Sequence, residues 1–389
     1  MTISGLARHE AKAAALGMLL MAFAWPLRGQ FGHEWGASLT GLFAAAAVSL
    51  VPRISYAASF GRSVFFGIFG FVIGSENLPY GALINRILSR PDWSGSFTDL
   101  LNLFFIGALW GGTGGAYLGL GLSEKKVSAR TQFFFLSAGL LALILMHAGD
   151  SAAVTASLQA LLFAGILAVN FFGLRSVILQ RFAAAGFIFF GAGFLAAVLI
   201  LHAGKLGMLA GPHGWWTLRD QIWGGLGGAG LLWAAISAHR QGLEPAHQGP
   251  ENLQRFNFGI LIPGVCLLNT WNVYEKWYRS MPPLESPIGA AVLGAGALGV
   301  LGAALFFLAA PQTIFSASNV LKCSRFSVLF CAVYLTALAV SKSVVYSGWG
   351  VWETGFTLFL ITLLVFFSSP RLFFAPPPRP DSTSDQAEL

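Results

Sequence analysis

The sequence predicts an all-α fold, a polytopic transmembrane helical bundle of about twelve spans. The 389 residues are 56% hydrophobic and only 10% charged, whereas soluble domains carry about 25% charged residues. Apolar runs of roughly 17–25 residues, the length that an α-helix needs to cross a bilayer, recur along the whole chain. Segments such as FAAAGFIFFGAGFLAAVLIL lack the alternation of apolar and polar residues that is typical of membrane β-strands.

Hydropathy divides the chain into twelve predicted spans and a polar, Pro-rich tail over 371–389, which we expect to be disordered. The predicted spans are 11–27, 36–51, 63–75, 98–121, 131–146, 153–174, 182–201, 221–238, 256–271, 287–310, 326–341 and 354–369. The first of them also has features of a signal peptide, because basic residues precede a short apolar run that ends in small residues. We expect this helix to be retained, because the residues after it suggest that it pairs with a later helix.

Lysine and arginine are divided unequally between the two predicted sides. Of the 23, fifteen fall on the side of both termini and eight on the other side. Because basic residues accumulate in cytoplasmic loops, we predict a multi-pass protein of the cell (inner) membrane with both termini in the cytoplasm. The same bias explains the net charge of +7 without nucleic acid as a partner, and the predicted partner is the lipid bilayer.

The predicted outer side collects most of the side chains that carry chemistry. Nine of the 16 acids, four of the 7 histidines and ten of the 12 tryptophans fall there. Tryptophan belts normally form at both membrane interfaces, yet the predicted inner interface is nearly bare of tryptophan. Two interpretations stay open, an interfacial belt and a ligand-facing mouth lined by aromatic rings and ion pairs.

The stretch WPLRGQFGHEWGA places Arg28, His33 and Glu34 within seven residues at this outer boundary. Arg28 and Glu34 either pair to offset each other's desolvation, or Arg28 holds an anionic or polyhydroxyl ligand while His33 or Glu34 exchanges a proton. The other candidate ligand-binding residues on this side are Glu76, His147, Asp150, His213, Trp216, Arg219, Asp220, Glu275 and Glu353.

The connection between the first two spans is predicted to be tight. We expect Pro26 to break the first helix or begin the turn, because proline lacks a backbone N–H. Gly29 and Gly32 would supply the conformational freedom that a connection of seven residues needs.

Two pairs of short matching stretches suggest an internal repeat or similar helix packing. WPLRGQF at 25–31 matches WTLRDQI at 216–222, which is consistent with two parallel six-helix halves over 1–181 and 182–370, although chance would also produce so short a match. WGGTGGA at 110–116 matches WGGLGGA at 223–229, at a separation that does not fit this duplication. We interpret these glycines as faces for close helix packing. The alternative is that they allow helices to rock.

No motif indicates a cofactor, a metal site or a nucleophile. HExxH, P-loop, nucleophile-elbow and dinucleotide patterns are absent from any plausible context, and the three cysteines (Cys266, Cys323 and Cys331) lack ligand spacing and are interpreted as packing residues. No charged residue falls near the middle of a predicted span; the polar residues expected at depth are Asn102, Gln159, Asn170, Asn257, Asn269 and Tyr334. Because proton-driven pumps usually carry buried acids, proton coupling would have to use the outer residues.

Three classes of function are compatible with these features. The favoured one is a carrier-like protein that binds a polar or amphipathic ligand, sugar-containing ligands included, from the non-cytoplasmic side. A membrane-embedded transferase that acts on a lipid-linked or glycan substrate at the outer leaflet is the first alternative. A structural membrane subunit without catalytic residues is the second. The sequence therefore leaves open whether the protein is an enzyme.

Overall fold

The fold of the described residues is helical throughout, as the sequence predicts. The computed structural model describes residues 3–31, 33–49, 56, 59–75, 80–90, 97–148, 152–207, 215–246, 251–280, 287–311, 331 and 334. Within these ranges, α-helices and three short π-helical segments make up nearly all of the regular structure, and no strand occurs.

The helices follow one another with short connections. The first are α1 (Ile3–Phe31), α2 (His33–Ser49), α3 (Phe60–Ser75), α4 (Tyr80–Leu88), α5 (Phe97–Gly121), α6 (Ala129–Ala148) and α7 (Ala152–Val169). The chain continues with α8 (Val177–Ala185), α9 (Gly191–Lys205), α10 (Trp215–Arg240), α11 (Glu251–Phe256), α12 (Ile262–Ser280) and α13 (Pro287–Ala309). The π-helical segments are Asn170–Leu174, Gly186–Phe190 and Asn257–Leu261. The second and third of them join α8 to α9 and α11 to α12 without a break.

Each of the first ten predicted spans falls on a helix of the structure. Four helical stretches are long and apolar enough to cross a membrane by length and composition: Phe97–Gly121, Ala129–Ala148, Ala153–Leu174 and Val177–Lys205. The predicted spans 326–341 and 354–369 lie outside the described residues, apart from Cys331 and Tyr334. The total of twelve spans therefore stays a prediction, whereas the all-helical, apolar character is confirmed.

The predicted break at Pro26 is wrong. α1 runs through Pro26 to Phe31, and α2 begins at His33, so the two helices are joined by a single residue. A helix in apolar surroundings retains its remaining backbone hydrogen bonds because no water is available to replace them. Arg28 consequently lies on the last turns of a helix and not in a loop.

The short helix α4 is not among the predicted elements. Its nine residues are too few to cross a bilayer, and it lies in the predicted outer connection between two spans. Asp99, in the first turn of α5, accepts a hydrogen bond from Arg86 at 2.8 Å and lies 3.1 Å from the Arg90 guanidinium. These ion pairs hold the end of α4 against the start of α5.

Helices α1 and α10 form an antiparallel pair. Gly17 lies against Leu232 near one end of the pair, and Gly29 lies against the Asp220 carboxylate near the other. Between them, a Cβ on Gly224 would lie only 2.3 Å from a backbone carbonyl oxygen of α1. The pair therefore packs more closely than any residue other than glycine would allow at this position.

Helix α5 lies at the centre of the described bundle, and 83% of its apolar stretch is buried. It packs against α3 on one side and against the continuous helix α8–α9 on the other. A Cβ on Gly111 would lie 2.5 Å from the Gly186 carbonyl oxygen, and one on Gly115 would lie 2.3 Å from the Phe182 carbonyl oxygen. The glycines of the WGGTGGA stretch thus permit close helix packing, as interpreted from the sequence.

Helices α6 and α7 lie at the periphery. Only 22% of each apolar stretch is buried, and large apolar side chains such as Phe133, Leu141 and Leu161 are exposed. An exposed apolar surface of this kind is typical of helices that face lipid. The polar site described below is consequently built from the more enclosed helices.

We predict that Gly115→Ala destabilises the folded protein because the new methyl group meets backbone that has no rotamer with which to yield. Overpacking of this kind costs about 1–3 kcal/mol. The matched control is Gly165→Ala, where a Cβ meets nothing within 4 Å and the better helix propensity of alanine favours the fold. The measurement is the temperature at which half of the purified protein loses monodispersity. Equal melting temperatures for the two variants would contradict the tight α5–α8 contact.

Candidate functional site

A fully buried arginine sits among three tryptophan rings at the end of α1. Arg28 has 0% of its surface exposed. Its Cζ atom lies 4.8 Å from the ring centroid of Trp110, 5.6 Å from that of Trp25 and 5.7 Å from that of Trp223. A desolvated cation over an indole face gains about 2 kcal/mol or more. We call Arg28 with these three tryptophans and Tyr80, which is hydrogen-bonded to Arg28, the Arg28 cage.

Four helices contribute the cage. Trp25 and Arg28 come from the end of α1, Tyr80 from the start of α4, Trp110 from the middle of α5 and Trp223 from the first half of α10. The rings also contact one another, with centroids 5.4 Å apart for Trp25 and Trp110 and 4.7 Å apart for Trp25 and Trp223. The tertiary fold therefore assembles the cage from positions that are far apart in the sequence.

A second aromatic layer supports the cage. The Phe190 ring lies 5.0 Å from Trp25 and 5.6 Å from Phe71, and the Phe194 ring lies 4.2 Å from Trp223. Phe190 ends the π-helical segment that joins α8 to α9, and π-helical segments are often found at functional sites. The Trp110 indole donates a hydrogen bond to the Phe71 carbonyl oxygen at 3.1 Å, which fixes the orientation of that ring.

A buried ion pair adjoins the cage on α10. Arg219 Nε donates to Asp220 Oδ1 at 2.9 Å, and both residues are buried. The Arg219 guanidinium also lies over the Trp216 ring at 4.7 Å, and the Lys205 ammonium lies 5.3 Å from the same ring. The other Asp220 oxygen lies 3.1 Å from the Cβ position of Gly29, next to Arg28 in the chain. The pair and the cage thus meet.

The Tyr80 hydroxyl stays protonated in this setting. Burial raises the pKa of Tyr80 above its usual value, and the positive charges of Arg28 and Arg219 oppose that rise only in part. A protonated phenol both donates and accepts hydrogen bonds. Tyr80 therefore serves Arg28 as a neutral partner near neutral pH.

The structure brings together four of the twelve candidate residues. Arg28, Arg219 and Asp220 meet at the cage, and Trp216 covers the Arg219 guanidinium. His147 lies instead at the exposed end of the peripheral helix α6. The remaining candidates are not described as side chains: His33, Glu34 and Glu275 lie on helices whose side chains there fall outside the described set, and Glu76, Asp150, His213 and Glu353 lie outside the described residues.

Interpretation of the outer tryptophans as one interfacial belt is wrong for Trp25 and Trp223. Both are 0% exposed and point into the protein, whereas Trp216 and Trp271 are exposed, as belt residues would be. The difference arises because the cation of Arg28 at the end of α1 attracts indole faces from α1, α5 and α10.

Four cage residues, Trp25, Tyr80, Trp110 and Trp223, are missing from the twelve candidate residues proposed from the sequence. A signal was present for two of them, because Trp110 and Trp223 open the two matching stretches WGGTGGA and WGGLGGA. Their rings lie 5.0 Å apart. The shared motif thus marks two helices that place a tryptophan in the same cage, with glycines behind it that permit close packing.

Most of the polar residues expected at depth are buried. Gln159 donates to Thr113 at 3.2 Å, Asn170 to the Ser176 carbonyl oxygen at 3.1 Å, and Asn257 to the Gly61 carbonyl oxygen at 2.7 Å. Asn269 and Tyr334 are buried as well. Asn102 is the exception, because its position on α5 is exposed.

Two of the cysteines meet. The sulfur atoms of Cys266 and Cys331 are 3.3 Å apart, and both residues are buried, free thiols. One helical turn further, the hydroxyls of Thr270 and Tyr334 are hydrogen-bonded. Cys323 lies outside the described residues. Among the side chains that are described, no three His, Cys, Asp or Glu residues come together as metal ligands.

The cage supplies hydrogen-bond donors and aromatic faces, and the Arg219–Asp220 ion pair adjoins it. No protein-family model, curated protein or solved structure matches this chain. Any functional conclusion consequently depends on the contacts described above.

We predict that Arg219→Ala destabilises the protein strongly, because it leaves the Asp220 carboxylate buried without its cation. Breaking a buried pair in this way costs about 3–5 kcal/mol. The matched control is Arg240→Ala, which removes an exposed arginine from its pair with Glu10 and should leave the melting temperature almost unchanged because solvent screens exposed pairs. If the two variants melt alike, the Arg219–Asp220 pair is not buried.

Proposed function

We propose that this protein is a multi-pass carrier of the cell (inner) membrane that binds a polar or amphipathic ligand from the non-cytoplasmic side at the Arg28 cage. The observation that carries the proposal is that both predicted halves of the chain contribute residues to the cage. α1, α4 and α5 lie in the predicted half 1–181, and α10 lies in the predicted half 182–370. Carriers built from two repeats bind their substrates where the repeats meet.

The proposed topology has twelve spans with both termini in the cytoplasm. It places the Arg219–Asp220 pair and the Asp99 ion pairs at the outer end of the bundle, with the cage beside that pair and reaching inward to Trp110 in the middle of α5. The antiparallel contacts agree with this arrangement, because Gly29 at the end of α1 adjoins Asp220 at the start of α10. Charged groups in such a position are costly and tend to mark functional sites.

Two further features suit a protein that changes shape. The cage tryptophans are fully buried, so a ligand reaches them only when the surrounding helices separate. α5 and α10 contact their neighbours through glycines, whose small surfaces provide no side chains to interlock. The π-helical segment Gly186–Phe190 lies beside both glycine faces. We propose that motion along these faces opens and closes the site.

Labelling the two ends of one helix tests the topology. In α6, Lys126→Cys introduces a thiol just before the helix and Ala148→Cys introduces one at its end; both positions are exposed. In intact cells, we expect an impermeant thiol reagent to label Ala148→Cys and not Lys126→Cys. The unmodified chain is the background control, and permeabilised cells should label both variants. Labelling of Lys126→Cys alone in intact cells would contradict the proposed orientation and indicate the opposite one.

Uptake into proteoliposomes tests the proposed function. Liposomes that contain the protein are incubated with a polar extract of the host cells, and mass spectrometry compares their contents with those of empty liposomes. A carrier enriches an unmodified compound. Loss of one charge-assisted hydrogen bond weakens binding by roughly tenfold or more, so we expect Arg28→Gln to reduce this enrichment by about that factor.

The same assay separates the alternatives. A covalently altered product, in place of an accumulated one, would identify a transferase and contradict the carrier. If no compound is either accumulated or altered, the carrier is contradicted and the structural subunit is the remaining alternative. Arg240→Ala is the control, because it alters an exposed arginine at the opposite end of α10 and should retain full uptake.

A further inference from the structure

We propose that the ligand of the Arg28 cage carries an oxyanion, a carboxylate or a phosphate, joined to an apolar group; this inference rests on the proposed function. It starts from hydrogen-bond donors that the fold buries without acceptors. Three such groups are the indole N–H of Trp25, the indole N–H of Trp223 and the Gln221 amide nitrogen. Both rings lie against the Arg28 guanidinium. Gln221 lies one helical turn before Gly224, whose Cβ position is 2.6 Å from the Trp25 Cβ atom, so both residues lie on the face of α10 that packs against α1.

Unsatisfied groups elsewhere in the described structure are mostly acceptors. The amide oxygens of Gln159, Gln254, Asn257 and Asn269 are buried without a donor. One exception is a guanidinium nitrogen of Arg62, which lies near the start of α3. Among the described residues, unsatisfied donors are therefore concentrated at and beside the cage.

Burying these donors is costly. A buried donor without an acceptor loses its hydration and gains nothing in return. An indole nitrogen only donates, whatever the orientation of the ring. The described fold thus maintains at least two unsatisfied donors beside a buried arginine. A ligand that supplies acceptors removes this cost when it binds.

The chemistry of the donors selects among ligand classes. A sugar hydroxyl brings an O–H donor of its own together with its acceptor lone pairs and carries no negative charge, so a sugar suits a cluster of donors beside an arginine less well than a group that only accepts. An ammonium group supplies only donors and is repelled by Arg28. A carboxylate or a phosphate supplies only acceptors and a negative charge, which suits an arginine. The aromatic rings around Arg28 favour an apolar remainder.

A carboxylate built into the protein tests the donor surplus without any ligand. Gln221→Glu replaces an unsatisfied donor with a carboxylate on the face of α10 that packs against Trp25, and we expect the melting temperature of the unliganded protein to rise. Gln159→Glu is the matched control: this glutamine is also buried, but its unsatisfied atom is the acceptor oxygen, so the new carboxylate should lower the melting temperature. A fall for Gln221→Glu as large as that for Gln159→Glu would overturn the inference.

Small probes that share a phenyl group test the ligand class. Benzoate, phenyl phosphate, phenyl β-glucoside and benzylamine are added separately to the protein in lipid nanodiscs, and the melting temperature is recorded. We expect benzoate or phenyl phosphate to raise it by at least about 3 °C at saturation, and the comparison of these two distinguishes a carboxylate from a phosphate. In Gln221→Glu and Arg28→Gln, this rise should disappear.

The outcomes separate this inference from the proposed function. Protection by phenyl β-glucoside that depends on Arg28 would overturn the oxyanion and leave the cage as a ligand site. Protection by benzylamine would overturn it in the same way. Protection by none of the probes would also overturn it, and the proposed function would then be judged by uptake into proteoliposomes alone.

Discussion

The enclosure of one positive charge by three indole rings is the interaction on which the packing of α1, α5 and α10 depends. Removing an ion from water costs several kcal/mol, and the faces of Trp25, Trp110 and Trp223 recover part of that cost only if α1, α5 and α10 meet at one point. Tyr80 adds a neutral hydrogen-bonding partner from α4. Arg28 thus contacts side chains from four helices.

The glycine faces explain how so many large rings fit together. α5 and α10 each carry a tryptophan on the side of the cage, while their glycines allow backbones to approach at Gly111, Gly115 and Gly224. In a membrane, where lipid is as apolar as leucine, close van der Waals packing of this kind replaces hydrophobic burial as the force between helices. Large rings and glycines therefore depend on each other, because a ring fits only where the neighbouring helix carries no side chain.

The polar groups at the two ends of the bundle differ in what they stabilise. The Arg219–Asp220 pair is buried beside the cage, whereas Glu10 and Arg240 form an exposed pair at the other end of α10. At that end the Glu124 carboxylate accepts hydrogen bonds from Ser176 and from the backbone at the start of α8, which is a structural helix cap. Donors without acceptors are concentrated at the cage, and for that reason we place the ligand there.

The sequence by itself determined the helical, apolar character of the chain and the positions of ten helices, because apolar runs and loop signals are local properties. It also singled out Arg28, Arg219 and Asp220 through the scarcity of charge. Only the tertiary structure decided that Arg28 lies within a helix that continues past Pro26, that Trp25 and Trp223 face inward, and that Trp110 and Tyr80 join them. Those outcomes depend on which helices pack together, and contacts between residues a hundred positions apart leave almost no local trace in a sequence.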